Sequence, residues 1–207
     1  ETGLKLTNLQ ISDYNGYEIS CAGERDGSIS FDVTGNQGQI DYSWTGPNGF
    51  SSSEDNLQGL VAGIYELLLA DESGCTLSRT FEIAEPDPLV LLDEVSDYNG
   101  FGVQCNGGNE GFIYLDISGG TGNATISWTG PDGYVSSEDR LENLFSGTYN
   151  LTITDLNGCK IVKTYTLTEP QGLEVAELTD EKVNVACYGQ FTGVLAATIT
   201  RSSAGPY

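Results

Sequence analysis

Of the side chains that can do chemistry, this chain of 207 residues has five cysteines, 30 Asp and Glu, and no histidine. Histidine is the commonest general base and the commonest transition-metal ligand near neutral pH. A conventional enzyme site is therefore not expected, and no residue stands out as catalytic. No second Cys or His lies at the short spacing that a zinc site needs, which leaves disulfides as the natural use of the thiols. The carboxylates face only 8 Lys and Arg, for a net charge of −22. That balance opposes nucleic acid and anionic membrane surfaces, because both need clustered basic residues. No apolar run approaches a membrane-spanning length and no basic-then-apolar leader is present, so membrane insertion is not expected either.

The cysteines are spaced by an internal repeat. Ser12-Asp13-Tyr14-Asn15-Gly16 returns as Ser96-Asp97-Tyr98-Asn99-Gly100, an offset of 84 that also carries Cys21 to Cys105 and Cys75 to Cys159. Trp44 and Trp128, Tyr65 and Tyr149, Asp71 and Asp155, and Glu85-Pro86 and Glu169-Pro170 follow the same offset without a gap. A third copy opens after Pro170, with Cys187, Gly189, Gly193 and Ile199 at an offset of 82. The expected organisation is one repeat over 1–86, a second over 87–170 and the start of a third over 171–207, read as a piece of a longer array.

The elements that must position these residues are strands. Ile29, Phe31 and Val33 alternate with Ser28, Ser30 and Asp32, and Ile113, Leu115 and Ile117 repeat the pattern. A period of two marks a half-buried strand. Gly46-Pro47-Asn48-Gly49, Gly130-Pro131-Asp132-Gly133, Asp71–Gly74 and Asp155–Gly158 are turn chemistry between such runs. With no helical period of useful length, each 84-residue unit is expected to be an all-β, immunoglobulin-like antiparallel sandwich of about seven strands. Trp44 and Trp128 are placed in its core, and Tyr65 and Tyr149 at a tyrosine corner.

Two cysteines in each repeat suggest the pairs Cys21–Cys75 and Cys105–Cys159 in an oxidising, extracellular setting, with Cys187 unpaired. Each bond would add about 4 kcal/mol in the chain-entropy model. The difficulty is reach. A six-residue strand spans roughly 20 Å, and simple sandwich topology puts the two cysteines of one repeat at opposite ends. Calcium is the one cofactor the sequence suggests, on Asp13 and Asn15 and on Asp97 and Asn99, although no D-x-D-x-D-G loop occurs. Phe50 and Tyr134 beside the Pro-x-Gly turns are candidate platforms for polysaccharide. The remaining acids suit a filament kept soluble by charge.

Together the motifs carry a family likeness. Ser-Asp-Tyr-Asn-Gly, Cys-x-Gly-x-x-(Asp/Glu)-Gly, Ser-Trp-Thr-Gly-Pro-x-Gly, Leu-x-x-Leu-x-x-Gly-x-Tyr, Asp-x-x-Gly-Cys and a closing Glu-Pro resemble the SprB repeat of gliding-motility adhesins and related surface proteins. The resemblance implies an extracellular cell-surface adhesin exported by type IX secretion, whose partners are further repeats of the same chain and the gliding and secretion machinery. It implies no enzymatic activity. Short Glu-Pro joints and the lack of a site peculiar to one copy favour a mechanical spacer. Multivalent polysaccharide binding is the alternative.

Overall fold

Seven strands build the first repeat: β1 (Lys5–Ile11), β2 (Gly27–Thr34), β3 (Ile40–Thr45), β4 (Ser51–Ser52), β5 (Leu57–Leu60), β6 (Gly63–Asp71) and β7 (Thr76–Ile83). In this computed structural model, which describes residues 3–177 and 197–200, they pair as two sheets of order β1-β2-β5 and β4-β3-β6-β7. Each described pairing within these sheets is antiparallel. The second repeat repeats the plan with β8 (Val90–Val95), β9 (Gly111–Ser118), β10 (Thr125–Thr129), β11 (Val135–Ser136), β12 (Arg140–Leu144), β13 (Gly147–Thr154) and β14 (Lys160–Leu167). Its sheets run β12-β9-β8 and β11-β10-β13-β14. The described residues are thus all-β, and each of the two repeats is an immunoglobulin-like sandwich. Among the described residues no helix is long and apolar enough to cross a membrane.

Of the third copy, β15 (Glu174–Glu177) pairs antiparallel with β16 (Ala197–Thr200), Val175 lying opposite Ile199. Leu6 lies opposite Val33 in the first repeat in the same manner. Cys187, Gly189 and Gly193 fall outside the described residues.

The alternating residues face one core. Ile29 and Phe31 of β2, Trp44 of β3, Leu57 and Leu60 of β5, Tyr65, Leu67 and Leu69 of β6, and Phe81 and Ile83 of β7 are buried together. Trp44 lies 6.0 Å from Phe31 and 5.6 Å from Phe81 between ring centroids, and its indole nitrogen donates to the Glu54 carbonyl at 3.0 Å. Trp128 makes the same bond to Glu138 at 3.0 Å.

Two recurrent motifs meet at the tyrosine corner. The Tyr65 hydroxyl donates to the Val61 carbonyl at 3.1 Å, as Tyr149 does to Phe145 at 3.0 Å. Burial holds both phenols above their ordinary pKa, so each remains a protonated donor. A Cβ on Gly46 would stand 2.7 Å from the Tyr65 ring, and one on Gly63 (φ 142°) 2.9 Å from Pro47. Hence Gly-Pro-x-Gly and Gly-x-Tyr are the two halves of a single contact.

Tyr65→Phe keeps the ring and leaves the Val61 carbonyl without its donor. We expect it to lower the unfolding free energy in urea by about 1–2 kcal/mol at unchanged slope. A change below about 0.3 kcal/mol would show that the hydroxyl contributes nothing to the corner.

Candidate functional site

The chain divides into two compact units whose boundary is not the repeat boundary. The first comprises Glu1–Leu92, Asp116–Ser127 and Leu151–Lys163; the second comprises Asp93–Leu115, Trp128–Asn150 and Thr164–Tyr207. The first unit therefore takes in the turn between β9 and β10 and the β13–β14 hairpin of the second repeat. What holds them there is the candidate site.

A disulfide joins Cys21 of the first repeat to Cys159 of the second, with Cα atoms 5.8 Å apart and 138 residues of separation. Cys75 and Cys105 are free and exposed. The expected pairs Cys21–Cys75 and Cys105–Cys159 are not formed. Cys75 directly precedes β7, whereas the Cys21 loop is held at the far end of that strand, where the amides of Glu18 and Ile19 both donate to the Ala84 carbonyl at 3.1 Å. Eight residues of β7 separate them by roughly 25 Å, against the 4.4–6.8 Å that a disulfide requires. One cysteine of each repeat, Cys21 and Cys159, is bonded across the joint, not within the repeat.

Each half of the bond sits on its own scaffold. On the Cys21 side, Gly23 N–H donates to the Glu85 carboxylate at 2.6 Å, and Glu24 N–H to the Cys21 carbonyl at 3.0 Å. On the Cys159 side, Asp155, only 6% exposed, is a turn-forming carboxylate. Its Oδ1 accepts from the amides of Asn157 at 3.0 Å and Cys159 at 2.8 Å, and its Oδ2 accepts from Thr121 N–H at 2.8 Å. Asp71 holds the Cys75 turn likewise, accepting from Ser73, Cys75 and Gln37. The Ser73 hydroxyl and then the Gln37 amide hold the Asp71 carboxyl below its ordinary pKa.

Asn157 adds a polar contact beside the bond. Its Nδ2 faces the carbonyls of Tyr14 and Ser20 at 3.0 Å each and Thr121 Oγ1 at 3.1 Å, while its Oδ1 accepts from Asn15. The joint backbone closes the site. Gly120 N–H donates to the Asp87 carbonyl at 3.0 Å, and a Cβ on Gly119 (φ 71°) would collide with the Pro88 carbonyl. A shallow cleft of about 360 Å³ flanks the disulfide, lined by Glu24, Pro88, Leu89, Lys160 and Ile161 among others.

Of the remaining candidates, Asn15 reaches this site through Asn157. Asn15 (φ 56°) and Gly16 (φ 94°) are the left-handed pair of a tight turn, and Asp13 Oδ1 accepts from Gly16 N–H at 2.8 Å. Asp97, Asn99 and Gly100 form the matching turn. Among the described residues no group of three or more Cys, Asp or Glu is gathered as metal ligands would be. Phe50 and Tyr134 are half-buried, set edge-on to Tyr65 and Tyr149 at 5.3 and 5.5 Å. Asn157, which sequence reasoning passed over, had one signal: it is one of the two positions of the Asp-x-x-Gly-Cys turn that differ between copies, Ser73 standing in the first.

Two measurements check this site. Alkylation of the non-reduced protein should label Cys75 and Cys105 and spare Cys21 and Cys159; a peptide linking Cys21 to Cys75 would contradict the assignment. Asp71 stabilises the fold above the ordinary carboxylate pKa, because its folded-state value is depressed, and this contribution fades as pH falls through the folded value. Asp71→Asn should accordingly be less stable than the parent at pH 7, with the gap narrowing on acidification below pH 4. A gap independent of pH would assign the loss to packing instead of charge.

Comparison with known proteins agrees with the motifs. No curated protein matches the chain. Among solved structures, a two-domain fibronectin type III segment from chicken tenascin is 15% identical, covering 78% of this chain and 98% of its own, with a TM-score of 0.32. An amphioxus IgVJ-C2 molecule is 13% identical, covering 81% and 97%, also at 0.32. The family model of the SprB repeat matches residues 18–49, the stretch that carries Cys21, β2, Trp44 and the Gly-Pro-Asn-Gly turn. The family match therefore lies within the first sandwich.

Proposed function

We propose that this chain is a non-enzymatic segment of an extracellular cell-surface adhesin, in which serial sandwiches act as a mechanical spacer for gliding motility or attachment. The observation that carries this reading is the Cys21–Cys159 bond, which makes consecutive repeats covalently continuous by a second route besides the backbone. Closing so long a loop removes about 5 kcal/mol of chain entropy from the unfolded ensemble. A second effect is mechanical. Tension applied outside residues 21–159 passes through the disulfide, so the enclosed chain cannot be drawn out even if its sandwich opens.

The net charge of −22 discourages association between neighbouring filaments. On this reading the flanking partners are further repeats of the same chain, and anchorage falls to the surface gliding and secretion machinery. Polysaccharide gripping is less well supported, because Phe50 and Tyr134 are half-buried against the tyrosine corners.

Single-molecule stretching from the two ends tests the spacer. Reduction should release the 138-residue separation and add about 48 nm of contour length, at roughly 3.5 Å per residue, that the oxidised protein withholds. Equal contour lengths with and without reductant would contradict a load-bearing bond.

A further inference from the structure

Among the described residues, the two free cysteines occupy the same scaffolds as the two bonded ones. Position for position, Cys105 is the counterpart of Cys21, and Cys75 is the counterpart of Cys159. Gly107 N–H donates to the Glu169 carboxylate at 2.7 Å, as Gly23 does to Glu85. Gly108 N–H donates to the Cys105 carbonyl at 3.0 Å, as Glu24 does to Cys21. Gly102 and Val103 both donate to Thr168, as Glu18 and Ile19 do to Ala84. At the other end, Asp71 Oδ1 accepts from Cys75 N–H at 2.9 Å, as Asp155 Oδ1 does from Cys159 at 2.8 Å. Asp71 N–H also donates to the Cys75 carbonyl at 3.0 Å, as Asp155 does to Cys159 at 3.0 Å. The turns that present the sulfurs are therefore built whether or not the bond is made.

We infer that Cys105 and Cys75 are half-sites for further inter-repeat disulfides: Cys105 with the Asp-x-x-Gly-Cys cysteine of the next complete repeat, and Cys75 with the Cys-x-Gly cysteine of a preceding one. The partner is in each case a repeat of this same kind, and the rule is the one that Cys21 and Cys159 already obey. A thiolate attacks a small-molecule disulfide oxidant to give a mixed disulfide, and the facing thiolate then displaces the oxidant's remaining half. Two thiols lose two protons and two electrons, and the oxidant leaves as two thiols. Because the loop closed by Cys105 would begin before the Cys21–Cys159 loop ends, successive loops overlap. Every repeat would then be spanned by covalent bonds to both neighbours.

This inference rests on the serial-repeat reading, and one experiment separates the two. In the full chain with residues 171–207 replaced by a further copy of 87–170, disulfide mapping of the oxidised protein should show Cys21–Cys159 together with Cys105 bonded to the appended Asp-Leu-Asn-Gly-Cys turn. Cys105 should lose the alkylation it shows in the parent chain, and Cys105→Ser should return alkylation to that appended cysteine. Cys21–Cys159 present with Cys105 still labelled, or bonded elsewhere, would overturn the inference while leaving the spacer intact. Absence of Cys21–Cys159 itself would overturn both.

Discussion

A disulfide forms only where two Cα atoms come within about 4.4–6.8 Å, and in this chain that condition is set by the two ends of a sandwich. The 17–24 segment is pinned to Ala84 and Glu85, where the strand β7 hands over to the joint. The Asp-x-x-Gly-Cys hairpin lies at the opposite end, pinned through Asp71 to Gln37 and through Asp155 to Thr121. One cysteine therefore belongs to the trailing end of its repeat and the other to the leading end. Neither can reach its companion, and each is placed to meet a neighbour. Cys21 and Cys159, at 5.8 Å, are that meeting.

What keeps the ends where they are is the rigidity of the sandwich between them. Trp44 packs between Phe31 and Phe81 and donates to Glu54, so the two sheets share one buried indole. The tyrosine corner bonds the start of β6 to the connection that precedes it. Gly46 and Gly63 are glycine because the Tyr65 ring and Pro47 occupy the space a Cβ would fill. Close packing of this kind transmits displacement instead of absorbing it, which suits an element that holds two bonding ends a strand's length apart.

Much of this was legible from residue patterns. The alternation at Ile29–Val33, the Gly-Pro-x-Gly turns and the Trp and Tyr positions are local signals, and each places its residue by a period or a turn type. The disulfide pairing was not local. Counting two cysteines per repeat invites pairing within the repeat, yet the strand length between them already forbids it. The bond across the joint becomes visible only once the Cys21 loop is seen to fold back on Ala84, through backbone hydrogen bonds that leave no mark on composition. Asn157 was hidden for the same reason: its partners are main-chain carbonyls of Tyr14 and Ser20, far away in sequence.

The joint itself supplies the most direct test, because Asp87-Pro88 is the one Asp-Pro bond in the chain and such bonds are cut by dilute acid. Acid also suppresses thiol exchange, since the attacking thiolate is protonated, so the native pairing is preserved during cleavage. After cleavage of the oxidised protein, residues 1–87 and 88–207 should run as one species under denaturing, non-reducing electrophoresis and separate only on reduction. Separation without reductant would mean that nothing but the backbone joins the repeats.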